Sequence, residues 1–94
     1  MKDKVTQDRL KTYFRLTEEA YKKALQSKQK INLENAREKI LDMAKRYIDD
    51  AHHFQEKNDI TTAFSALSYA HGLLDAGALL GFFDVHDSDL FIVD

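Results

Sequence analysis

DITTAFSALSYAHGLLDAGALLG, residues 59–81, is the stretch that decides the fold. Its apolar residues are too numerous for one face of a helix with 100° per residue. One seam consists of Ile60, Phe64, Leu67, His71, Leu74 and Ala78, with Ala63 and Ala70 beside it. A second apolar stripe, roughly opposite, consists of Tyr69, Leu73, Ala76 and Leu80. Because a helix that is apolar on several sides is normally interior, we predict that this one lies between neighbours with Phe64 in the core.

The composition of the chain is typical of a soluble helical bundle. Of its 94 residues, 44% are hydrophobic and 32% are charged, and none is proline. The net charge of -2 excludes a strong overall attraction to nucleic acid or to an anionic membrane. The chain has no cysteine, which fits a reducing cytosol, and its charged N-terminus lacks the apolar core of a signal peptide. We predict a cytoplasmic protein with no membrane partner, no metal and no cofactor.

Helical spacing of apolar residues also occurs in the part of the chain that precedes this stretch. The predicted elements are helices over about 5–27, 33–57 and 60–81, followed by a tail over 82–94. The predicted core of the first two helices consists of Leu10, Tyr13, Phe14, Leu16, Ala20, Tyr21, Ala24, Leu25, Leu33, Ala36, Ile40, Ala44, Tyr47, Ile48, Ala51 and Phe54. All of these elements are expected to form a single domain, since no linker or repeat is visible.

Polar residues and glycine mark the predicted helix ends. Thr6, Asn32 and Asp59 are the expected N-caps, because their side chains can accept a hydrogen bond from a first-turn amide. Asn58 tolerates a left-handed helix end, and Gly81 is a good helix stop. The tail is too apolar to be solvated, with Phe82, Phe83, Val85, Leu90, Phe91, Ile92 and Val93. The predicted fold is therefore an all-α, up-and-down three-helix bundle with an apolar C-terminal tail packed on it.

Residues 47–84, YIDDAHHFQEKNDITTAFSALSYAHGLLDAGALLGFFD, carry a resemblance to a known family. The matching positions are Tyr47, Asp50, Ala51, Phe54, Asp59, Ala63, Phe64, Tyr69, Ala70, His71, Gly72, Leu74, Asp75 and Gly81. This pattern resembles the archaeal domain-of-unknown-function family 357, and the similarity extends through the first two helices and the closing FIVD. The resemblance implies a small three-helix bundle from archaea, and it implies no established activity.

His71 and Asp75 are the leading candidate catalytic residues. They are four residues apart on the predicted third helix, so the carboxylate can orient the imidazole as a general base. The alternative is a structural histidine whose polar atoms are satisfied by Asp75, because buried polar groups are normally paired. Tyr69 and Gly72 complete a cluster that fits either a small pocket or the seat of a neighbouring helix. Spacing alone leaves both interpretations open.

Two groups of possible metal ligands lack the ligand number and spacing of a metal site. The first is Asp49 with His53, and the second is the tail group of Asp84, His86, Asp87 and Asp89. We therefore expect solvated charge in both.

Two patterns point weakly to nucleic acid. Arg46 with His52 or His53 has the loose spacing of helical ribonuclease domains that pair with nucleotidyltransferases, but ion pairs with Asp42 and its neighbours explain Arg46 equally well. The cations Lys22, Lys23, Lys28, Lys30, Lys39, Lys45 and Arg46 form a possible basic patch that acidic neighbours dilute. Nucleic acid is therefore a weakly supported partner.

The leading functional hypothesis is a non-enzymatic protein-interaction module. Its surplus apolar surface would be covered by a protein partner, and a second copy in a homodimer would serve. The candidate interface residues are Tyr69, Gly72, Leu73 and Leu80. The alternative is a nucleic-acid- or nucleotide-related enzyme, or a ligand-binding protein, that uses His71 and Asp75. That alternative requires a pocket that exposes an imidazole nitrogen.

Overall fold

A computed structural model describes residues 5–28 and 33–93 and contains three helices in those ranges. The helices are α1 (Gln7–Gln26), α2 (Ala36–Glu56) and α3 (Ile60–Leu80). They pack side by side into a body of 42 × 24 × 21 Å, and α3 contacts both other helices. The described ranges contain no strand. The predicted all-α three-helix bundle is confirmed.

The ends of α1 and α3 form as local side-chain chemistry predicts. Thr6 accepts a hydrogen bond from the Arg9 amide at 3.1 Å, and Asp59 accepts one from the Thr62 amide at 3.2 Å. Asn58 adopts the left-handed conformation with φ of 62°, which closes the tight turn between α2 and α3. Gly81 ends α3 with φ of 86°, a conformation that costs glycine little because it has no Cβ.

The start of α2 differs from the prediction. The helix begins at Ala36, three residues after the predicted start at 33, and the predicted cap Asn32 lies outside the described residues. Asn35 precedes the helix in a left-handed conformation with φ of 60° and makes no side-chain cap. Leu33 therefore lies before the helix, where it is exposed rather than in the core.

The core has two adjoining clusters, one towards each end of the bundle. The cluster nearest the α2–α3 turn contains Leu10, Phe14, Ile48, Ala51, Ala63, Leu67 and Ala70. The other contains Ala20, Ala24, Leu41, Ala44, Leu74 and Ala78 together with five residues of the tail. The tail therefore completes one half of the core.

Several individual core predictions were wrong. Leu25 is exposed, whereas Thr17 and Leu41 are buried although the apolar pattern did not select them. Phe64 is only half-buried, because it lies at the edge of the α1–α3 contact against Tyr13. The sequence pattern therefore identified each helix and most of its buried residues, and the differences concern single positions.

The prediction that α3 lies between neighbours is confirmed for one side of the helix only. One side of α3 packs on α1, α2 and the tail, and its buried residues are Ala63, Leu67, Ala70, Leu74, Gly77 and Ala78. The opposite side faces solvent, with Tyr69, Leu79 and Leu80 between 50% and 62% exposed. Three helices and a tail cover only one side of this helix.

The apolar tail packs on the bundle as predicted. Its buried residues are Phe82, Phe83, Val85, Leu90 and Phe91, whereas Ile92 is exposed. The Phe82 amide donates to the carbonyl of Gly77 at 2.8 Å, which turns the chain back at the end of α3. The Phe83 ring then lies directly over Gly77, where any side chain would overlap it.

Arg37, in the first turn of α2, joins the end of α1 to the start of the tail. Its guanidinium donates four hydrogen bonds, to the carbonyls of Ala24 (3.0 Å), Leu25 (2.7 Å) and Phe82 (3.4 Å) and to the hydroxyl of Ser27 (3.3 Å). The same group lies 5.6 Å from the centre of the Phe83 ring. Since the last carbonyls of a helix have no partner within it, Arg37 extends the cap that Ser27 already provides through its own bonds to Ala24.

Candidate functional site

Both ring nitrogens of His71 are engaged by the protein. Nε2 donates a hydrogen bond to the Leu90 carbonyl at 2.6 Å, and Nδ1 accepts a longer one from the Thr17 hydroxyl at 3.4 Å. This network assigns the proton to Nε2, since a carbonyl can only accept. The side chain of His71 is 14% exposed. The tail thus covers the imidazole that the sequence offered as a general base.

Asp75 binds the same part of the tail. Its Oδ1 accepts the Ile92 amide at 3.0 Å and lies 3.9 Å from Nε2 of His71, beyond a good hydrogen bond. The predicted proximity of the two side chains is therefore present, but each of them primarily binds main-chain atoms of the tail. Both nitrogens of His71 and one oxygen of Asp75 are thus engaged by the protein in this arrangement.

Tyr13 stacks on His71 and extends the cluster onto α1. Its ring is nearly parallel to the imidazole, with centroids 5.6 Å apart, and tilts against Phe64 at 4.9 Å. Burial is the main cause that raises the pKa of the Tyr13 phenol, and the negative charge of Asp75 adds to it. A hydrogen bond with Ser68 opposes this rise in the pKa. The fold therefore favours the neutral phenol.

The Tyr13 phenol is expected to titrate above its ordinary pKa of 10.0. Because the folded state holds the proton more tightly, this burial leaves stability unchanged below pH 10.0, and stability falls as the pH rises from there through the raised pKa. NMR of a ring-labelled tyrosine gives the midpoint directly. Asp75→Asn should lower that midpoint, since it removes a nearby negative charge. A Tyr13 midpoint at or below 10.0 would contradict the burial seen here.

An open cleft lies beside this cluster, between α1 and α3. It has a volume of about 410 Å³ and is lined by Asp8, Arg9, Thr12, Tyr13, Leu16 and Phe64. The Arg9 guanidinium lies 5.7 Å from the centre of the Phe64 ring. Neither His71 nor Asp75 lines this cleft, so it does not expose the imidazole as the enzymatic alternative requires.

The outward face of α3, defined by Tyr69, Gly72, Leu73, Ala76, Leu79 and Leu80, holds the predicted interface residues. Tyr69, Gly72 and Leu80 are exposed, and Leu73 is half-buried. Tyr69 meets Tyr47 of α2 edge to face, with ring centroids 4.4 Å apart. A Cβ built on Gly72 would have no atom within 4 Å, so no neighbouring element lies over it. This face is apolar, uncharged and open.

The groups of possible metal ligands do not assemble. Asp49 pairs with Lys45 at 3.2 Å, while His53 rests edge-on against Phe54. In the tail, His86 contacts Asp84 at 2.9 Å and Asp87 pairs with Lys23. Within residues 5–28 and 33–93, no three histidine or acidic side chains are grouped so that they could hold a metal ion.

The nuclease-like spacing does not produce a common site. Arg46 is an exposed side chain that pairs with Asp42 at 3.0 Å, one turn back along α2. His52 instead faces α1, where it stacks on Phe14 and donates to Glu18 at 2.8 Å. Arg46 and His52 thus have separate partners on different sides of α2.

The basic patch is diluted by ion pairs, as expected from its acidic neighbours. Lys23, Lys45 and Arg46 each contact a carboxylate within 3.2 Å, and Lys30 lies outside the described residues. These pairs lower the positive potential that a nucleic-acid backbone would meet.

Three polar residues that the sequence did not single out build the surroundings of the site. Thr17 is fully buried beneath His71, Glu18 links α1 to α2 through His52, and Arg37 closes the end of α1. Each acts on another element, so no spacing within its own helix reveals it. The one available signal was the position of Thr17 at i+3 from Phe14 on the apolar side of α1.

A family model described as "Protein of unknown function (DUF357)" matches residues 12–83, which include all three helices apart from the first five residues of α1. Searches of curated proteins and of solved structures found no match. None of the helices in the described part of the chain is long and apolar enough to cross a membrane. Since the match covers more than half of the sequence and the three-helix fold agrees with the expectation, the chain belongs to this family of unknown function.

Proposed function

We propose that the protein is an interaction module that pairs through the outward face of α3 with the same face of a second copy. One observation carries the proposal: α3 contains no Lys, Arg or Glu, and its only carboxylate, Asp75, is bound to the tail. A solvent-facing helix normally carries charge on its outer side. The outward face of α3 therefore has the composition of a covered surface.

A second copy is the occupant that best suits this face. The outer sides of α1 and α2 carry ion pairs such as Arg15 with Glu19 and Arg46 with Asp42, so they offer no large apolar surface. In a two-fold dimer the same patch meets itself, and an uncharged patch does so without repulsion. Gly72 near its centre allows two helix backbones to approach closely, as small residues do at helix contacts.

The expected dimer is weak. The contact would cover the exposed parts of Tyr69, Leu79 and Leu80 in each copy. Association also costs translational and rotational freedom, which a contact with few apolar side chains only narrowly offsets. A contact of this size supports a concentration-dependent dimer rather than a permanent one.

Sedimentation equilibrium from about 10 µM to about 1 mM tests this proposal, because a dissociation constant of 1 mM corresponds to only about 4 kcal/mol of binding free energy. The wild-type weight-average mass should rise towards that of a dimer. Leu80→Lys should raise the dissociation constant at least about tenfold, because it places a charge in the apolar contact. Leu25→Lys is the matched control, since Leu25 is equally exposed but lies on α1, and it should dimerise like the wild type. A wild-type chain that stays monomeric throughout, or a control that fails with Leu80→Lys, would reject the α3 interface.

The enzymatic alternative has less support, because His71 and Asp75 both bind the tail. The cytoplasmic location and the archaeal source remain predictions from composition and from the family resemblance.

A further inference from the structure

The distal part of the tail, residues 87–92, forms a compact hook on the surface between α1 and α3. The carbonyl of Asp87 accepts the amides of Leu90 and Phe91 at 3.0 and 2.9 Å, and its carboxylate accepts the amide of Asp89 at 3.0 Å. The hook is therefore one helical turn that begins with its own acidic cap. This turn directs Leu90 and Phe91 into the core, where they are 2% and 3% exposed.

Three side chains of the bundle hold the hook by polar contacts. They are Lys23 to the Asp87 carboxylate (2.6 Å), His71 to the Leu90 carbonyl (2.6 Å) and Asp75 to the Ile92 amide (3.0 Å). The last two contacts reach main-chain atoms, which every residue except proline offers in full. Sequence preference must therefore come from the acid opposite Lys23 and from the two buried side chains, as in other modes of peptide recognition.

We propose that this surface is a peptide-binding site for Asp-x-x-Leu-Phe segments of other proteins, and that the hook is its resident competitor. The pattern follows from the contacts: an acid for Lys23, one helical turn, and a Leu-Phe pair that covers the apolar cluster. Lys23 supplies charge complementarity to the acid. His71 and Asp75 then act as binding residues that recognise peptide backbone.

The hook can leave this surface without unfolding the rest of the tail. Phe83 is anchored separately, over Gly77 and beneath the Arg37 guanidinium. The chain between Asp84 and Asp87 has no regular secondary structure and connects the two parts. Detachment of residues 87–92 therefore exposes the binding surface while the start of the tail stays packed.

The covalent connection between the hook and its site determines which ligands can displace the hook. A segment joined to its own site by a short linker has an effective concentration of about 1 mM, which far exceeds that of a free segment at micromolar concentration. The hook of a second copy already occupies its own site under the same advantage and gains nothing by exchange. The ligand is therefore a segment of a different protein that binds more tightly than the hook.

A labelled synthetic peptide HDSDLFIV, residues 86–93, tests the site by fluorescence anisotropy with the full-length chain. Phe91→Ala in the chain weakens the hook, so this variant should bind the peptide at least about tenfold more tightly than the wild type does. Ile92→Ala is the matched control, because it changes an exposed side chain and keeps the amide that Asp75 binds. It should bind the peptide like the wild type. A peptide that itself carries Phe91→Ala should not bind.

A second variant tests whether the effect of Phe91→Ala comes from a weakened hook rather than from misfolding. Asp87→Ala removes exposed contacts only, and it should increase peptide binding in the same direction. In the Phe91→Ala chain, adding Asp75→Ala should weaken binding whereas Asp75→Asn should preserve it, because the amide oxygen still accepts a hydrogen bond. A merely structural aspartate would not give this split.

Three outcomes would overturn the proposal. The first is that both hook-weakened variants fold by circular dichroism but bind the peptide no better than the wild type. The second is that the Ile92→Ala control gains affinity equally. The third is that energy transfer between differently labelled wild-type chains reveals exchange of hooks, which would make a second copy the ligand. All titrations use the Leu80→Lys background, so that pairing through α3 does not contribute.

Discussion

Phe83→Ala should lower the free energy of unfolding by about 3–5 kcal/mol, because the lost burial and the remaining cavity both act against the fold. Phe83 is 1% exposed and lies between Gly77 and the Arg37 guanidinium. The total stability of a domain of this size is about 5–15 kcal/mol, so the variant should retain only part of it. Urea denaturation followed by circular dichroism measures the difference.

Ile92→Ala is the matched control for this experiment. Ile92 lies in the same tail, but its side chain is 64% exposed, so its truncation should change stability by less than about 0.5 kcal/mol. Equal midpoints for Phe83→Ala and the wild type would show that the tail does not contribute to the core in solution. Equal losses in both variants would point to a general effect of tail substitutions.

Gly77→Ala should destabilise the protein by about 1–3 kcal/mol, although alanine is the better helix former, because overpacking forces the Phe83 ring to move. The added Cβ would overlap the edge of that ring. Gly72→Ala, in the same helix, should instead stabilise the protein by about 0.5–1 kcal/mol. The added Cβ has no atom within 4 Å, and alanine has a higher helix propensity than glycine. Thermal melts at low micromolar concentration, chosen so that pairing through α3 does not contribute, compare the two variants.

The double variant with Phe83→Ala isolates the cause. If Gly77→Ala is harmful only through the ring, its cost should vanish once the ring is removed, and the two effects will not add. Additive losses would place the strain elsewhere in α3. A Gly77→Ala chain that melts above the wild type would show that the Phe83 ring moves aside freely.

Local chemistry made much of this fold predictable from the sequence. Thr6, Asp59 and Gly81 act within one or two turns of their own positions, so their residue types were sufficient to mark the helix ends. The turn at Asn58 is equally local. The start of α2 was missed because Asn35, rather than a side-chain cap, precedes that helix.

The orientation of α3 was not predictable in the same way. A helix with apolar residues on all sides has no polar face to indicate which side meets solvent. The prediction therefore placed it in the interior, while the structure leaves Tyr69, Leu79 and Leu80 exposed. The core position predicted for Phe64 failed for the same reason.

The sequence predicted that His71 and Asp75 lie together, but it did not predict their main hydrogen-bond partners. Helical spacing brought the two side chains together, yet their main partners are Leu90 and Ile92, which lie 17–19 residues further along the chain. No periodicity connects a helix to an irregular segment at that distance. Thr17 was missed because its hydroxyl contacts a different helix.

Arg37 holds the end of α1 whatever the length of the connection that follows this helix. Because a side chain of α2 fixes the end of α1, the junction does not rely on how many residues join Ser27 to Leu33. An insertion between Ser27 and Leu33 should therefore leave this cap in place, because the groups of α1 that Arg37 binds all precede that connection.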